Sequence, residues 1–167
     1  DISKTRLNRL HPRLKRAGAS SVECRTVSPY NDNWVATHVG TFERILADVP
    51  CIGIGTWRRD PNLKWQLREN DLHVLILNQR SILANAASML RVGGKLIYST
   101  CSLLKEENED QVEWFLKHHS DFRSVCMNKA WSETFITKQP TRDKYLRLSP
   151  ATTYTDGYFC AIFTKNR

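Results

Sequence analysis

Apolar residues recur along this chain in two rhythms, and each rhythm predicts a different element. Leu7, Leu10, Leu14 and Ala17 return at helical spacing beside Arg6, Arg9, Arg13 and Arg16, which predicts a helix capped by Ser3 and stopped by Gly18. Residues 22–27 alternate weakly and predict a short strand, and residues 28–40 form a polar loop. Residues 42–47 predict a second strand, cut off by Pro50, whose missing N–H cannot continue a ladder. An irregular stretch rich in Gly, Arg and Trp follows over residues 52–70; a stretch of this length with embedded tryptophans favours function over filler.

A longer stripe comes next. Leu72, Leu75, Ile76, Ile82, Leu83, Ala86, Met89 and Leu90 predict a structural helix, with Gly93 and Gly94 as its stop. Residues 95–99 return to strand. Glu106, Glu107, Glu109 and Asp110 then load acid onto the first turns of another helix, where the macrodipole favours it, so the run reads as helix design and not as chemistry. The pattern weakens after His119, and residues 158–163 make a last strand behind the Asp156–Gly157 turn. Strand and helix in alternation predict an α/β fold: a largely parallel sheet covered by helices on both faces.

Composition narrows the class. A chain of 167 residues with 41% apolar and 25% charged positions suits one soluble domain, taken here as residues 1–167. No long apolar run exists, so no membrane span is expected. Five cysteines, an odd number without a CxxC pair, argue against a disulfide framework and a thiolate zinc site and fit a reducing, cytoplasmic compartment. The five histidines show no metal-binding spacing, so no metal is expected. The chain opens at Asp1 without an initiator Met, so it reads as part of something longer.

The formal charge of +8 attracts a polyanion, and nucleic acid is the expected partner. Lys4, Arg6, Arg9, Arg13, Lys15 and Arg16 sit in the first helix, where a solvated face explains them. Arg58, Arg59, Lys64 and Arg68 interleave with Trp57 and Trp65 just after a cysteine, a mix suited to phosphate contact and base stacking.

Two cysteines hold the candidate chemistry. Cys51 and Cys101 each follow a strand-like run at the point where it breaks into a loop, and loops after strand C-termini line the ligand crevice of open α/β sheets. The two thiols are therefore expected to face one pocket. Cys24, Cys126 and Cys160 read as space-filling residues, since free cysteines are often buried. Asp48 stands at the end of its strand, either as a site acid or as a turn cap ahead of Pro50.

The segment Asp48-Val49-Pro50-Cys51-Ile52-Gly53, with its Arg-rich continuation, resembles the Asp-Ala-Pro-Cys-Ser-Gly loop of the Sun/Fmu-type RNA 5-methylcytosine methyltransferases. Tyr98-Ser99-Thr100-Cys101-Ser102, followed by Glu106-Glu107-Asn108-Glu109, resembles that family's second cysteine motif, and the likeness runs over nearly the whole chain. The resemblance implies a Rossmann-like methyltransferase sheet and methylation of carbon 5 of cytosine in RNA, 16S ribosomal RNA in particular, with S-adenosylmethionine as cofactor. It implies Cys101 as the attacking nucleophile, Cys51 as the residue assisting product release and Asp48 as a contact to cofactor or target base; Arg58, Arg59 and Lys64 are the expected RNA contacts by their charge and aromatic neighbours. The division of labour between the two cysteines stays open on sequence alone.

Cofactor binding is where the chain departs from the family pattern. Asp1 falls at the place of the acid that binds the ribose hydroxyls, and Asp32 aligns loosely with the acid on the adenine side. The glycine-rich turn and first strand would lie ahead of Asp1, and Gly53-Ile54-Gly55 is no substitute. Residues 1–167 alone are therefore expected to bind S-adenosylmethionine poorly or not at all, from a fold truncated at its N-terminal strand. Two function classes stand: an RNA methyltransferase, favoured by two intact thiol motifs, and a non-catalytic RNA-binding remnant, favoured by the missing turn. A cysteine hydrolase would need a His and an Asn or Asp arranged about Cys101, and no such arrangement is recognisable.

Overall fold

The computed structural model describes residues 1–27, 33–68, 70–141 and 143–166. They fall into two compact units, Asp1–Thr37 and His38–Arg167, each treated by itself.

The first unit holds α1 (Lys4–Asn8), α2 (His11–Arg16) and α3 (Asn33–Thr37). Ser3 caps α1 as expected, its Oγ accepting from the Arg6 N–H at 3.3 Å, and Gly18 follows α2 in the left-handed region at φ 64°. The single helix expected here is two, because Pro12 lacks an N–H and its ring crowds the carbonyl four residues back, at the end of α1. The expected strand over residues 22–27 does not form. Two backbone bonds tie that segment to Asp1, from Val27 N to Asp1 O and from the Asp1 amine to Arg25 O, too few for a ladder. Within the expected loop, Asn33–Thr37 is helical and residues 28–32 lie outside the described residues.

The second unit carries the sheet. Its elements are β1 (Phe42–Asp48), α4 (Leu63–Gln66), α5 (Asp71–Met89), β2 (Leu90–Thr100), α6 (Glu109–His118), β3 (Phe122–Val125), α7 (Met127–Thr134), β4 (Leu146–Leu148), α8 (Pro150–Thr153) and β5 (Tyr158–Lys165). The strand order is β1-β2-β5-β3, with β4 also on β5. Among the described residues only β1 and β2 pair in parallel; β5 runs antiparallel to β2, β3 and β4. The expected largely parallel sheet is thus a mixed one within this chain. The physical reason is that β5 starts at the end where β1 and β2 finish, tied there by Gly157 N to Gly55 O at 2.8 Å, and so has to run back.

Gly93 and Gly94 are not the helix stop. Helix α5 ends at Met89, and Leu90 is already extended at φ −76°, ψ 133°. The glycines fall inside β2 where the register slips, Phe42 facing Leu90 but Arg44 facing Lys95, so they form a bulge. The carbonyls freed at the helix end are satisfied by Gly40 N to Ser88 O and by Lys165 Nζ to Ala87 O and Leu90 O, a cation at the negative end of the dipole.

Alternation in the strands decides which face is buried. Leu96 and Tyr98 of β2 and Phe159, Ala161 and Phe163 of β5 pack under Leu83, Ala86 and Ala87 of α5 and Val112 and Phe115 of α6. Phe115 meets Phe163 and Phe122 with ring centroids 4.7 and 5.0 Å apart. That packed face fixes α5 and α6 over the sheet, and both reach the ends of β1 and β2, where the cysteines lie.

Candidate active site at the paired thiols

Parallel pairing of β1 and β2 puts both cysteine turns at one end of the sheet. Asp48 faces Ser99 in register, so Pro50-Cys51 and Thr100-Cys101 leave their strands side by side, held by Val49 N to Ser99 O at 3.1 Å. The result is a Cys51 Sγ to Cys101 Sγ distance of 3.2 Å, with both thiols half-buried and free. The two thiols, fifty positions apart in the chain, thus lie side by side.

The two sulfurs are not equivalent. The hydrogen bond from Cys51, helped by the Cys101 backbone amide, holds the Cys101 thiol down at about 7 against its burial and the nearby carboxylates of Asp48 and Glu107. Cys51 moves the other way, far above the ordinary thiol range, because its proton sits in the bond to Cys101 and because it is buried. Near neutral pH the proton of Cys51 therefore stays in place while a substantial share of Cys101 is thiolate.

What sets this spacing is a buried polar network that sequence reasoning missed. Glu107, fully buried in the short turn ahead of α6, accepts at Oε1 from the Ile52 N–H at 2.9 Å and from Gln79 Nε2 at 3.0 Å. Gln79 Nε2 also donates to Pro50 O at 2.9 Å, while Tyr98 Oη donates to Glu107 O at 2.6 Å. Asn108, the next residue, accepts at Oδ1 from Thr100 Oγ1 at 2.6 Å and donates from Nδ2 to Ser102 O at 3.0 Å. The acid run is thus divided. Glu109 and Asp110 open α6 as helix design requires, whereas Glu107 belongs to the site.

A signal for this was present. Stepping the apolar face of α6 back by helical spacing from Phe115 and Val112 lands on Gln111, Asn108 and Glu107, all buried. Gln79 likewise interrupts the apolar stripe of α5 and is buried there.

A third loop closes the site. Gly55 N donates to Cys101 O at 3.0 Å, and a Cβ on Gly55 would lie 2.3 Å from Gly157 O, so only glycine permits this approach. The Asp156–Gly157 turn also gathers the arginines: Arg58 Nε and Arg59 Nε lie 3.2 and 2.5 Å from the two oxygens of Asp156. Both side chains stay mostly exposed, with their terminal nitrogens directed to no other partner among the described residues. Lys64 lies over the exposed Trp65 ring at 5.3 Å.

The remaining candidates are dispersed. Asp48 is exposed at the end of β1, close enough for its charge to act on Cys101. Asp1 sits in the first unit, with Oδ1 accepting from Ser3 N at 2.8 Å and Oδ2 3.8 Å from Arg6. Asp32 lies outside the described residues. Cys160 is partly buried, its thiol pushed up to about 11 by burial, but Cys126 is exposed at the start of α7 and fills no core space. No cluster of His, Cys, Asp or Glu fit for a metal occurs among the described residues, and no helix there is long and apolar enough to cross a membrane.

Residues 1–164 match the family described as 16S rRNA methyltransferase RsmB/F, and the chain belongs to that family. It is 34% identical over 166 residues to the ribosomal RNA small subunit methyltransferase B of Pectobacterium atrosepticum, covering 99% of this chain and 36% of that protein. The solved structure of PH0851 superposes with a TM-score of 0.85 at 31% identity, over 99% of this chain and 36% of that one. NSun6 from Pyrococcus horikoshii, solved with SFG, gives a TM-score of 0.78 at 27% identity, over 100% of this chain and 40% of that one. The chain spans about a third of the length of the curated relatives it matches.

Proposed function

We propose that this chain supplies the thiol chemistry of an RNA methyltransferase that uses S-adenosylmethionine to methylate carbon 5 of cytosine, with ribosomal RNA as substrate. The observation behind this reading is the asymmetric thiol pair, Cys51 Sγ 3.2 Å from a Cys101 Sγ whose pKa is held at about 7.

Carbon 5 of cytosine is a weak nucleophile, and a pair of sulfurs answers that difficulty. The Cys101 thiolate adds to carbon 6, and the electron pair of the 5,6 double bond is pushed onto carbon 5. The cofactor, when bound, supplies the methyl group. Release requires that a base take the proton on carbon 5, that the double bond re-form and that Cys101 depart as thiolate. The Cys51 S–H stabilises that departing thiolate through the bond it makes in the free protein. Asp48, exposed at the end of β1 and near enough for its charge to act on Cys101, hydrogen-bonds the ring or the cofactor in this reading. A carboxylate accepts and does not donate, so the exposed oxygens of Asp48 fit the hydroxyl and amino donors of such a cofactor. Arg58, Arg59 and Lys64 contact the phosphate backbone.

The test uses the parent protein and its RNA. Cys101→Ala should abolish transfer, and Cys51→Ala should accumulate a protein–RNA adduct that survives denaturing electrophoresis. Methylation surviving in the Cys101 variant would overturn the assignment. A bisulfite map of cellular RNA that does not change when the gene is removed would favour the non-catalytic RNA-binding reading instead.

A further inference from the structure

Two turns that leave different strands do not stay 3.2 Å apart at their sulfurs without a fixed reference, and the reference lies outside both. Glu107 and Asn108 are adjacent in the chain. One grips the turn of Cys51, through Ile52 N directly and through Gln79 to Pro50 O; the other grips the turn of Cys101, through Thr100 Oγ1 and Ser102 O. Because a single peptide unit joins the two grips, neither turn can shift without straining the other's hydrogen bonds. The side chains of Glu107, Gln79, Asn108 and Thr100 in the clip are buried, so a broken bond there leaves an unsatisfied partner in low dielectric.

Glu107 does more than a neutral acceptor would need to do. Its second oxygen, Oε2, is buried with no hydrogen-bond partner among the described residues, an arrangement that a site chosen for stability alone would replace. Its charge also reaches Cys51, Cys101 and Tyr98.

We propose that Glu107 is the positioning residue of the thiol pair: its buried carboxylate, with Asn108 beside it, holds the Cys51 turn where the Cys51 S–H reaches Cys101. Glu107 acts through Cys51 and touches no reacting atom. The proposal rests on the reading of Cys101 as the nucleophile, and its test needs no methyl transfer.

The readout is the pH midpoint for iodoacetamide alkylation of Cys101 in the full chain, with the modified residue located by mass spectrometry. Glu107→Ala releases the Cys51 turn, so the midpoint should rise from about 7 toward the ordinary thiol value near 8.5, a roughly fifteenfold loss of thiolate at pH 7. Glu107→Gln keeps the carbonyl acceptor and removes the charge, so its midpoint should stay at or below that of the parent chain. In a Cys51→Ala background, Glu107→Ala should raise the midpoint no further, since there is no donor left to misplace. An unchanged midpoint in Glu107→Ala, or an equal rise in both backgrounds, would overturn the proposal. If Glu107→Ala loses its folding transition, Gln79→Met decides instead, because it frees Pro50 O while keeping the volume: a raised midpoint supports the clip and an unmoved one overturns it. A parent-chain midpoint near 8.5 would instead sink the reading of Cys101 on which the proposal stands.

Discussion

The sulfur of Cys51 stands 3.2 Å from that of Cys101 although fifty positions separate them in the chain, and the bond between them places the proton on Cys51. Their proximity has an immediate chemical consequence. Diamide, which accepts two electrons and two protons to become a hydrazine, should join these two sulfurs in an intramolecular disulfide and leave Cys24, Cys126 and Cys160 free. Peptide mapping without reduction checks it; a mixture of pairings would show that the thiols do not meet.

The approach of Gly55 to Gly157 makes a stability prediction. A methyl group at residue 55 would meet backbone, which cannot swing away as a side chain does, so Gly55→Ala should destabilise by about 1–3 kcal/mol. Urea denaturation reads this as a lowered midpoint at constant slope. An unmoved midpoint would mean that the two turns do not touch.

Asp156 orders a pair of arginines whose ends face solvent, an arrangement suited to phosphate. Replacing Arg58 and Arg59 with Ala should weaken RNA binding and reduce the slope of log affinity against log salt by about 0.7 for each phosphate of single-stranded RNA left without its arginine. A salt slope that does not change in the double arginine variant would remove both residues from the interface.

Much of this architecture was legible in the residues because it depends on local pattern. The strand before Cys51, the long helix over Leu83 and Ala86, and the strand before Cys101 follow from apolar periodicity, and both thiols follow from where those strands break. The points that were not legible depend on partners distant in sequence. Nothing near Gly93 reveals that β1 captures Leu90 as soon as α5 ends, and the direction of β5 is set by Gly55, far away in the chain. Pro12 is the exception, a local breaker whose effect outweighs a good apolar stripe. Glu107 was hidden differently: an acid beside a helix start has a ready dipole explanation, and only its place on the buried face of α6 argues for more.

If the Cys51 S–H sets the acidity of Cys101, its removal must be felt there. Cys51→Ala should raise the alkylation midpoint of Cys101 toward about 8.5, with Cys51→Ser, which restores a donor, falling between the two.

The most direct test of the account is the pH profile of alkylation at each of the two thiols in the unaltered chain. Reactivity requires thiolate, so it should fall tenfold for each pH unit below the midpoint. Cys101 should react with a midpoint near 7, and Cys51 only at far higher pH. Two thiols titrating together near 8.5, or Cys51 reacting first, would contradict the assignment of Cys101 as the nucleophile.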